Sequence, residues 1–156
     1  MTDLALLKMA IQKAFPGISQ SEVMDLIQEG VVREYPVEKD LCVEGNEEDV
    51  FYILLDGKVE VTKKINNVDK RLLNELNPGD FFGEMGLIHE APRAATVTTL
   101  QPTKVLEIDK KRFSDVLNKS GTVSLAMVRE VSRRLRDNDE MAIEDLRQKA
   151  GELAFF

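Results

Sequence analysis

Between Val31 and Ile108 the apolar residues come in runs too short for helices, and turn residues cut the chain after almost every run. The runs are Val31–Tyr35, Leu41–Val43, Val50–Leu55, Val59–Ile65, Leu72–Leu76, Ala95–Leu100 and Lys104–Ile108. The punctuation is Pro36, Glu44-Gly45-Asn46, Asp56-Gly57, Asn66-Asn67 and Pro78-Gly79. Short runs at regular spacing with turn signals between them are the pattern of an all-β sandwich or barrel. Val59 and Val61 alternate with Glu60 and Thr62, as on a half-buried strand. Asp56-Gly57 between Leu55 and Lys58 reads as a tight hairpin. The expected fold is therefore mainly β with flanking helices: an eight-stranded jelly-roll barrel with a helical lead-in and a long C-terminal helix.

Helical periodicity frames this region. Leu4, Leu7, Ala10, Ile11 and Ala14 recur at helical spacing until Pro16-Gly17 ends the run. Ser19 with Glu22 three residues on fits a capping box for a second helix, with Val23, Leu26 and Ile27 inward and Gly30 as its stop. Asp109 is placed to cap a short helix over Lys110–Asn118, with Phe113 and Leu117 inward. Ser120-Gly121 breaks it, and a longer helix runs from about Thr122 towards Ala150. The expected organisation is one domain over 1–156. It comprises a lead-in over 1–30, a β-roll over 31–109 and C-terminal helices over 110–156.

Composition narrows the function. Lys and Arg number 21 against 28 Asp and Glu, a net charge of -7. Direct nucleic-acid binding relies on basic side chains neutralising phosphates, so it is not expected. Cys42 is the only cysteine, so no internal disulfide forms; between Leu41 and Val43 it reads as a packed core thiol. No apolar run approaches the ~18 residues of a membrane span, and the N-terminus carries no secretory pattern. A cytoplasmic location without membrane attachment is the expectation. His89 is the only histidine, and no Cys cluster or paired-His motif is present. A His-rich metallo-enzyme on a jelly roll is therefore excluded, and neither a bound metal nor catalysis is expected.

One stretch does not fit the strand pattern. Phe82-Gly83-Glu84-Met85-Gly86-Leu87-Ile88 sets two glycines about one carboxylate after the turn at Asn77-Pro78-Gly79-Asp80. The glycines let backbone approach a ligand closely, and a short helix starting near Gly83 would present N–H groups to a phosphate. Pro92 fixes a turn before Arg93, and Ala94 and Ala95 leave room beside it. One carboxylate, one guanidinium and a row of N–H groups suit a small ligand carrying both hydroxyls and an anionic phosphate. The alternative is a surface ion pair between Glu84 and Arg93, worth about 0–1 kcal/mol, with glycines serving only as turns.

The run Phe82–Val97 resembles the phosphate-binding cassette of cyclic-nucleotide-binding domains, such as those of the protein kinase A regulatory subunit and the catabolite activator protein. The matched positions are Phe82, Gly83, Glu84, Met85, Gly86, Leu87, Ile88, Pro92, Arg93, Ala94, Ala95 and Thr96. The resemblance implies the same jelly-roll fold. It implies that Glu84 takes the ribose 2′-hydroxyl and Arg93 the cyclic phosphate. Backbone N–H groups at Gly83, Met85, Gly86 and Ala94 complete the cradle, with Ala95 beside them. It also implies that the last helix closes over the base and transmits the signal, which makes Arg133, Arg134, Asn138 and Asp139 candidate base contacts. A solvated charged face remains the alternative for each of these four. Members that prefer cGMP commonly carry Thr after the cassette arginine; here that residue is Ala94, so cAMP is the expected ligand and cGMP the alternative.

The reading is a non-enzymatic regulatory sensor. The alternatives are a degenerate cyclic-nucleotide-binding fold acting as a protein-interaction scaffold, and the sensor half of a transcription regulator, since no helix-turn-helix follows the last helix. Val128, Val131, Leu135 and Ala142 lie near heptad spacing. They leave open a packing helix or a homodimer seam. The downstream protein partner is unknown from sequence.

Overall fold

The computed structural model describes residues 2–84, 93, 95–133 and 136. Thr2 caps α1 (Asp3–Ala14) by accepting the Ala5 N–H, and the helix buries Leu7, Ala10 and Ile11. Leu4, expected on that face, is exposed. Ser19 and Glu22 form the expected reciprocal capping box at the start of α2 (Gln20–Glu29). Gly30 is the C-cap of α2, the stop that the sequence suggested, and it is extended, with a φ of -112°. Its value is space: a Cβ there would lie 2.5 Å from Leu106 Cδ1, where the end of α2 crosses β8.

Eight strands follow: β1 (Val31–Tyr35), β2 (Asp40–Cys42), β3 (Val50–Asp56), β4 (Val59–Lys64), β5 (Lys70–Leu76), β6 (Phe81–Phe82), β7 (Thr96–Thr99) and β8 (Thr103–Asp109). They form two four-stranded antiparallel sheets, ordered β1-β8-β3-β6 and β2-β7-β4-β5. The jelly roll is thus a pair of facing sheets rather than one closed barrel. Between them lies an interior of Leu41, Cys42, Tyr52, Leu54, Val59, Leu76, Phe82, Val97 and Val105, drawn from both sheets. Strand β3 is buried on both faces. Tyr52 and Leu54 point into that interior, while Phe51 stacks on Phe113 with ring centroids 4.3 Å apart and also meets Phe81. Phe81 in turn stacks on Phe15. The helices therefore cover the outer face of the first sheet, and aromatic contacts fasten them there.

Two sequence expectations need correction. Asp56-Gly57 makes a tight turn, with Gly57 at φ +98°, but β3 and β4 do not pair. The turn carries the chain from one sheet to the other: Leu100 N–H and Thr103 Oγ1 both donate to Lys58 O, tying the crossing to the β7–β8 turn. The hairpin that does form is β4–β5, where Asn66 Oδ1 accepts from the Val68 and Asp69 N–H groups. The second correction concerns α3 (Lys110–Lys119). Asp109 caps it as expected, by accepting the Arg112 N–H, but the inward residues are Phe113 and Val116, and Leu117 is only half-buried.

Residues 121–133 form a further helix, α4, beginning after the break at Ser120. Glu22 reaches the start of this helix: its carboxylate accepts hydrogen bonds from Ser120 Oγ and Thr122 Oγ1 as well as from the Ser19 N–H. The chain separates into two compact units, Met1–Ser124 and Leu125–Phe156. Within the second, Leu125 and Val128 are exposed and Arg133 pairs with Glu130. The seam position Leu135 and the last turns expected up to Ala150 lie outside the described residues.

Candidate ligand site at the β3–β6 edge

Strand β6 pairs with β3 through Tyr52↔Phe82 and Ile53↔Phe81, and Gly83 follows directly after it. The pairing brings the carbonyls of Val50 and Gly83 to one place. Arg93 fills the space between them: Nη1 donates to Gly83 O and Nη2 to Val50 O, both at 2.7 Å. Its third donor edge, Nε, faces Glu48 Oε2 at 3.5 Å. The Arg93 side chain is 5% exposed and that of Glu48 27%. Among the described residues, the buried Nε–H has an ionic neighbour in Glu48 but no hydrogen-bond acceptor.

The Arg93 backbone is held as firmly. Gly45 N–H donates to Arg93 O, and Arg93 N–H donates to Asn46 O. The loop between β2 and β3 thus pairs with Arg93 as a short strand would. That loop is anchored at Glu44, whose N–H donates to Thr96 Oγ1 and whose Oε2 accepts the Lys64 N–H. Thr96 is therefore a structural member of the site, fixing the end of β2.

Gly83 adopts φ +91°, a region that side chains with a Cβ rarely occupy. A Cβ at Gly83 would lie 2.5 Å from Val50 O and 3.3 Å from Arg93 Nη1. No other residue fits between the two carbonyls and the guanidinium. Glu84, the next residue, is fully buried. Cys42 feels the charge of Arg93, Glu48 and Glu84. Burial pushes its thiol up to about 12; Arg93 pulls it back, while Glu48 and Glu84 push it further. The thiol at the end of β2 thus feels the charge of two carboxylates and one guanidinium.

Of the residues singled out by sequence, Gly83, Glu84 and Arg93 are described, and the first and last are in direct contact. Ala95 is half-buried at a bend before β7. Met85, Gly86, Ala94 and Asn138 lie outside the described residues, as do Arg134 and Asp139. Arg133 is described, in the second unit, where its ion pair is with Glu130. Glu48, Gly45 and Asn46 could not be foreseen as partners of Arg93, because nothing local joins two segments so far apart. Chemically, the site offers a buried N–H donor of fixed direction and a cationic group. These suit an anion with acceptor oxygens.

The family model for "Cyclic nucleotide-binding domain" matches residues 32–120. The chain is 42% identical over 74 residues to the cAMP-dependent protein kinase regulatory subunit of Dictyostelium discoideum, covering 46% of this chain and 23% of that protein. It is 30% identical over 125 residues to the cAMP-activated global transcriptional regulator CRP of Salmonella typhimurium, covering 80% of this chain and 56% of that one. Among solved structures, the catabolite activator protein of Thermus thermophilus superposes with a TM-score of 0.76 at 26% identity, over 83% of this chain and 61% of that one. The chain therefore spans between about a quarter and somewhat over half the length of these curated relatives. With a match to the family model across both sheets and α3, this chain belongs to the cyclic nucleotide-binding domain family.

Proposed function

We propose that residues 1–156 act as one sensor module that binds cAMP in preference to cGMP and regulates a partner rather than catalysing a reaction. The observation that carries the reading is Arg93: a buried cation with one N–H donor that has no hydrogen-bond acceptor among the described residues, packed against Gly83 directly after β6. Arg93 takes the phosphate and Glu84 the ribose 2′-hydroxyl. A carboxylate close to a phosphate is repulsive unless a hydroxyl lies between them, so Glu84 makes sense with a sugar. The backbone of Gly83, Met85, Gly86 and Ala94 completes the cradle. Support for cAMP comes from the names of the kinase regulatory subunit and the transcriptional regulator above, both of which carry it. Ala94 also lacks the hydroxyl that would recognise the guanine amino group, a difference of one hydrogen bond or about 0.5–1.5 kcal/mol. The nucleotide works by differential affinity for two arrangements of the C-terminal helix, since only that shifts an equilibrium. Arg133 and Asn138 are the candidate base contacts, and the same helix is the candidate homodimer seam.

The test is calorimetry with cAMP, cGMP and 2′-deoxy-cAMP on wild type, Arg93→Ala, Glu84→Ala and Ala94→Thr. Wild type binds cAMP most tightly. Arg93→Ala loses about 2–5 kcal/mol of binding. Glu84→Ala erases most of the preference for the ribo ligand, and Ala94→Thr gains affinity for cGMP. An Arg93→Ala protein within threefold of wild type, about 0.65 kcal/mol, refutes the phosphate assignment. A folded wild type that binds neither nucleotide points to the scaffold reading instead.

A further inference from the structure

The guanidinium of Arg93 has three directions in which to donate, and the protein occupies all three. Two are hydrogen bonds to backbone carbonyls that are fixed by the β3–β6 pairing, at Val50 and Gly83. The third is different in kind. Glu48 Oε2 stands 3.5 Å from Nε, close enough for charge attraction and without a hydrogen bond. Its side chain is the more exposed of the pair, and it sits on a loop rather than on a strand. Withdrawing Val50 O or Gly83 O would break the sheet edge; withdrawing the Glu48 carboxylate needs only a side-chain rotation.

We infer that Glu48 is an internal competitor for Arg93, a positioning residue that occupies the Nε edge until a ligand phosphate displaces it, and that it thereby lowers this chain's affinity for cyclic nucleotides. The inference rests on the reading of Arg93 as phosphate ligand. A dianionic crowd about one guanidinium is unfavourable, so phosphate and carboxylate exclude each other there. Part of the phosphate's binding energy is spent on releasing Glu48. An amide at that position keeps the shape and removes the charge. Glu47, the neighbouring carboxylate, is exposed. It serves as the control for a general change in charge.

The experiment is calorimetric titration of cAMP into wild type, Glu48→Gln, Glu47→Gln and Arg93→Ala, with circular dichroism to check folding. Glu48→Gln binds three- to tenfold more tightly than wild type, a gain of up to about 1.4 kcal/mol, while Glu47→Gln stays within about 1.5-fold. Equal or weaker binding by folded Glu48→Gln overturns the inference and leaves the sensor function standing, provided that Arg93→Ala still abolishes binding. An equal gain in Glu47→Gln also overturns it, since a general field then explains the effect. Should Glu48→Gln misfold, Glu48→Ala takes its place with the same expected gain. If neither wild type nor either Glu48 variant binds, the underlying sensor reading fails, and the inference falls with it.

Discussion

Gly83→Ala isolates the tightest point of the candidate site. Two costs add. The first is conformational: a residue with a Cβ held near φ +91° costs about 1–2 kcal/mol. The second is steric. The new Cβ would meet Val50 O at 2.5 Å, and that oxygen belongs to the backbone, so relief requires the β3 end to move. Moving it stretches the 2.7 Å bond from Arg93 Nη2, and a hydrogen bond to a charged group is worth about 1.5–3 kcal/mol. Together the variant loses about 2.5–5 kcal/mol, a large part of an ordinary domain's stability. Gly17 supplies the control. Its φ is +86°, yet nothing lies within 4 Å of an added Cβ, so Gly17→Ala carries the first cost alone. Urea unfolding followed by circular dichroism reads both. With a slope of about 2.5 kcal/mol per molar, the Gly83→Ala midpoint falls by about 1–2 M relative to wild type, clearly below that of Gly17→Ala. Equal midpoints for the two variants would refute the steric half of the reasoning, because the contact with Val50 O would then cost nothing.

Four further outcomes follow from contacts described above. Arg93→Lys lowers stability by about 1–3 kcal/mol even without nucleotide, because one ammonium cannot serve Gly83 O and Val50 O as the planar fork does; unchanged thermal unfolding would count against it. Hydrogen bonds, that from Ser120 first, hold the Glu22 carboxyl below its ordinary value of 4.5, so its contribution is present above that value and fades as pH falls through the lowered one. Glu22→Ala loses about 1–2 kcal/mol at neutral pH, and the variant's acid unfolding shows a smaller pH slope. Cys42, pushed up to about 12 by burial, stays unreactive to iodoacetamide at pH 8 in the folded protein and reacts on unfolding in urea; fast labelling of the native state would contradict its burial. Hydrogen exchange over 123–146 slows when cAMP is added, and unchanged exchange there alongside protection near Arg93 would mean binding without a switch.

What could be read from the sequence depended on how local the governing physics is. The capping box of Ser19 and Glu22, and Asp109 as a cap, are satisfied within one turn of chain, and both appear as expected. Strand positions followed from alternation, mostly to within one or two residues. Pairing did not: Asp56-Gly57 reverses the chain, but whether the strands on either side bond to each other is decided by β8 and β7, far along the sequence. Strand β6 is two phenylalanines, too short to show any period. In α3 a choice between Val116 and Leu117 is a rotation of one residue, and the short amphipathic run could not settle it. The site divides the same way. Glu84 and Arg93 stood out by their spacing, whereas Glu48, Gly45 and Asn46 became partners of Arg93 only through the fold.

The order in which the strands enter the two sheets has a consequence for how this chain acquires its structure during synthesis. Among the described residues, successive strands alternate between sheets at every step but one, the β4–β5 hairpin, which is the only neighbour-to-neighbour pairing there. Strand β1, among the described residues, bonds only to β8, and β8 also completes β3. Until residue 109 has left the ribosome, β1 lacks its β8 partner and the β1-β8-β3-β6 sheet is a β3–β6 ribbon. Distant pairings of this kind carry a large loop-closure cost, which places folding in the slow range of about milliseconds to seconds. A nascent chain stopped before β8 would expose Phe51, Ile53 and Leu55 on a sheet edge, a sticky intermediate of the sort that recruits chaperones. Ribosome-arrested chains in which Asp109 is still inside the exit tunnel and chains in which it has emerged should therefore differ sharply in protease resistance, with the whole β region becoming protected in one step.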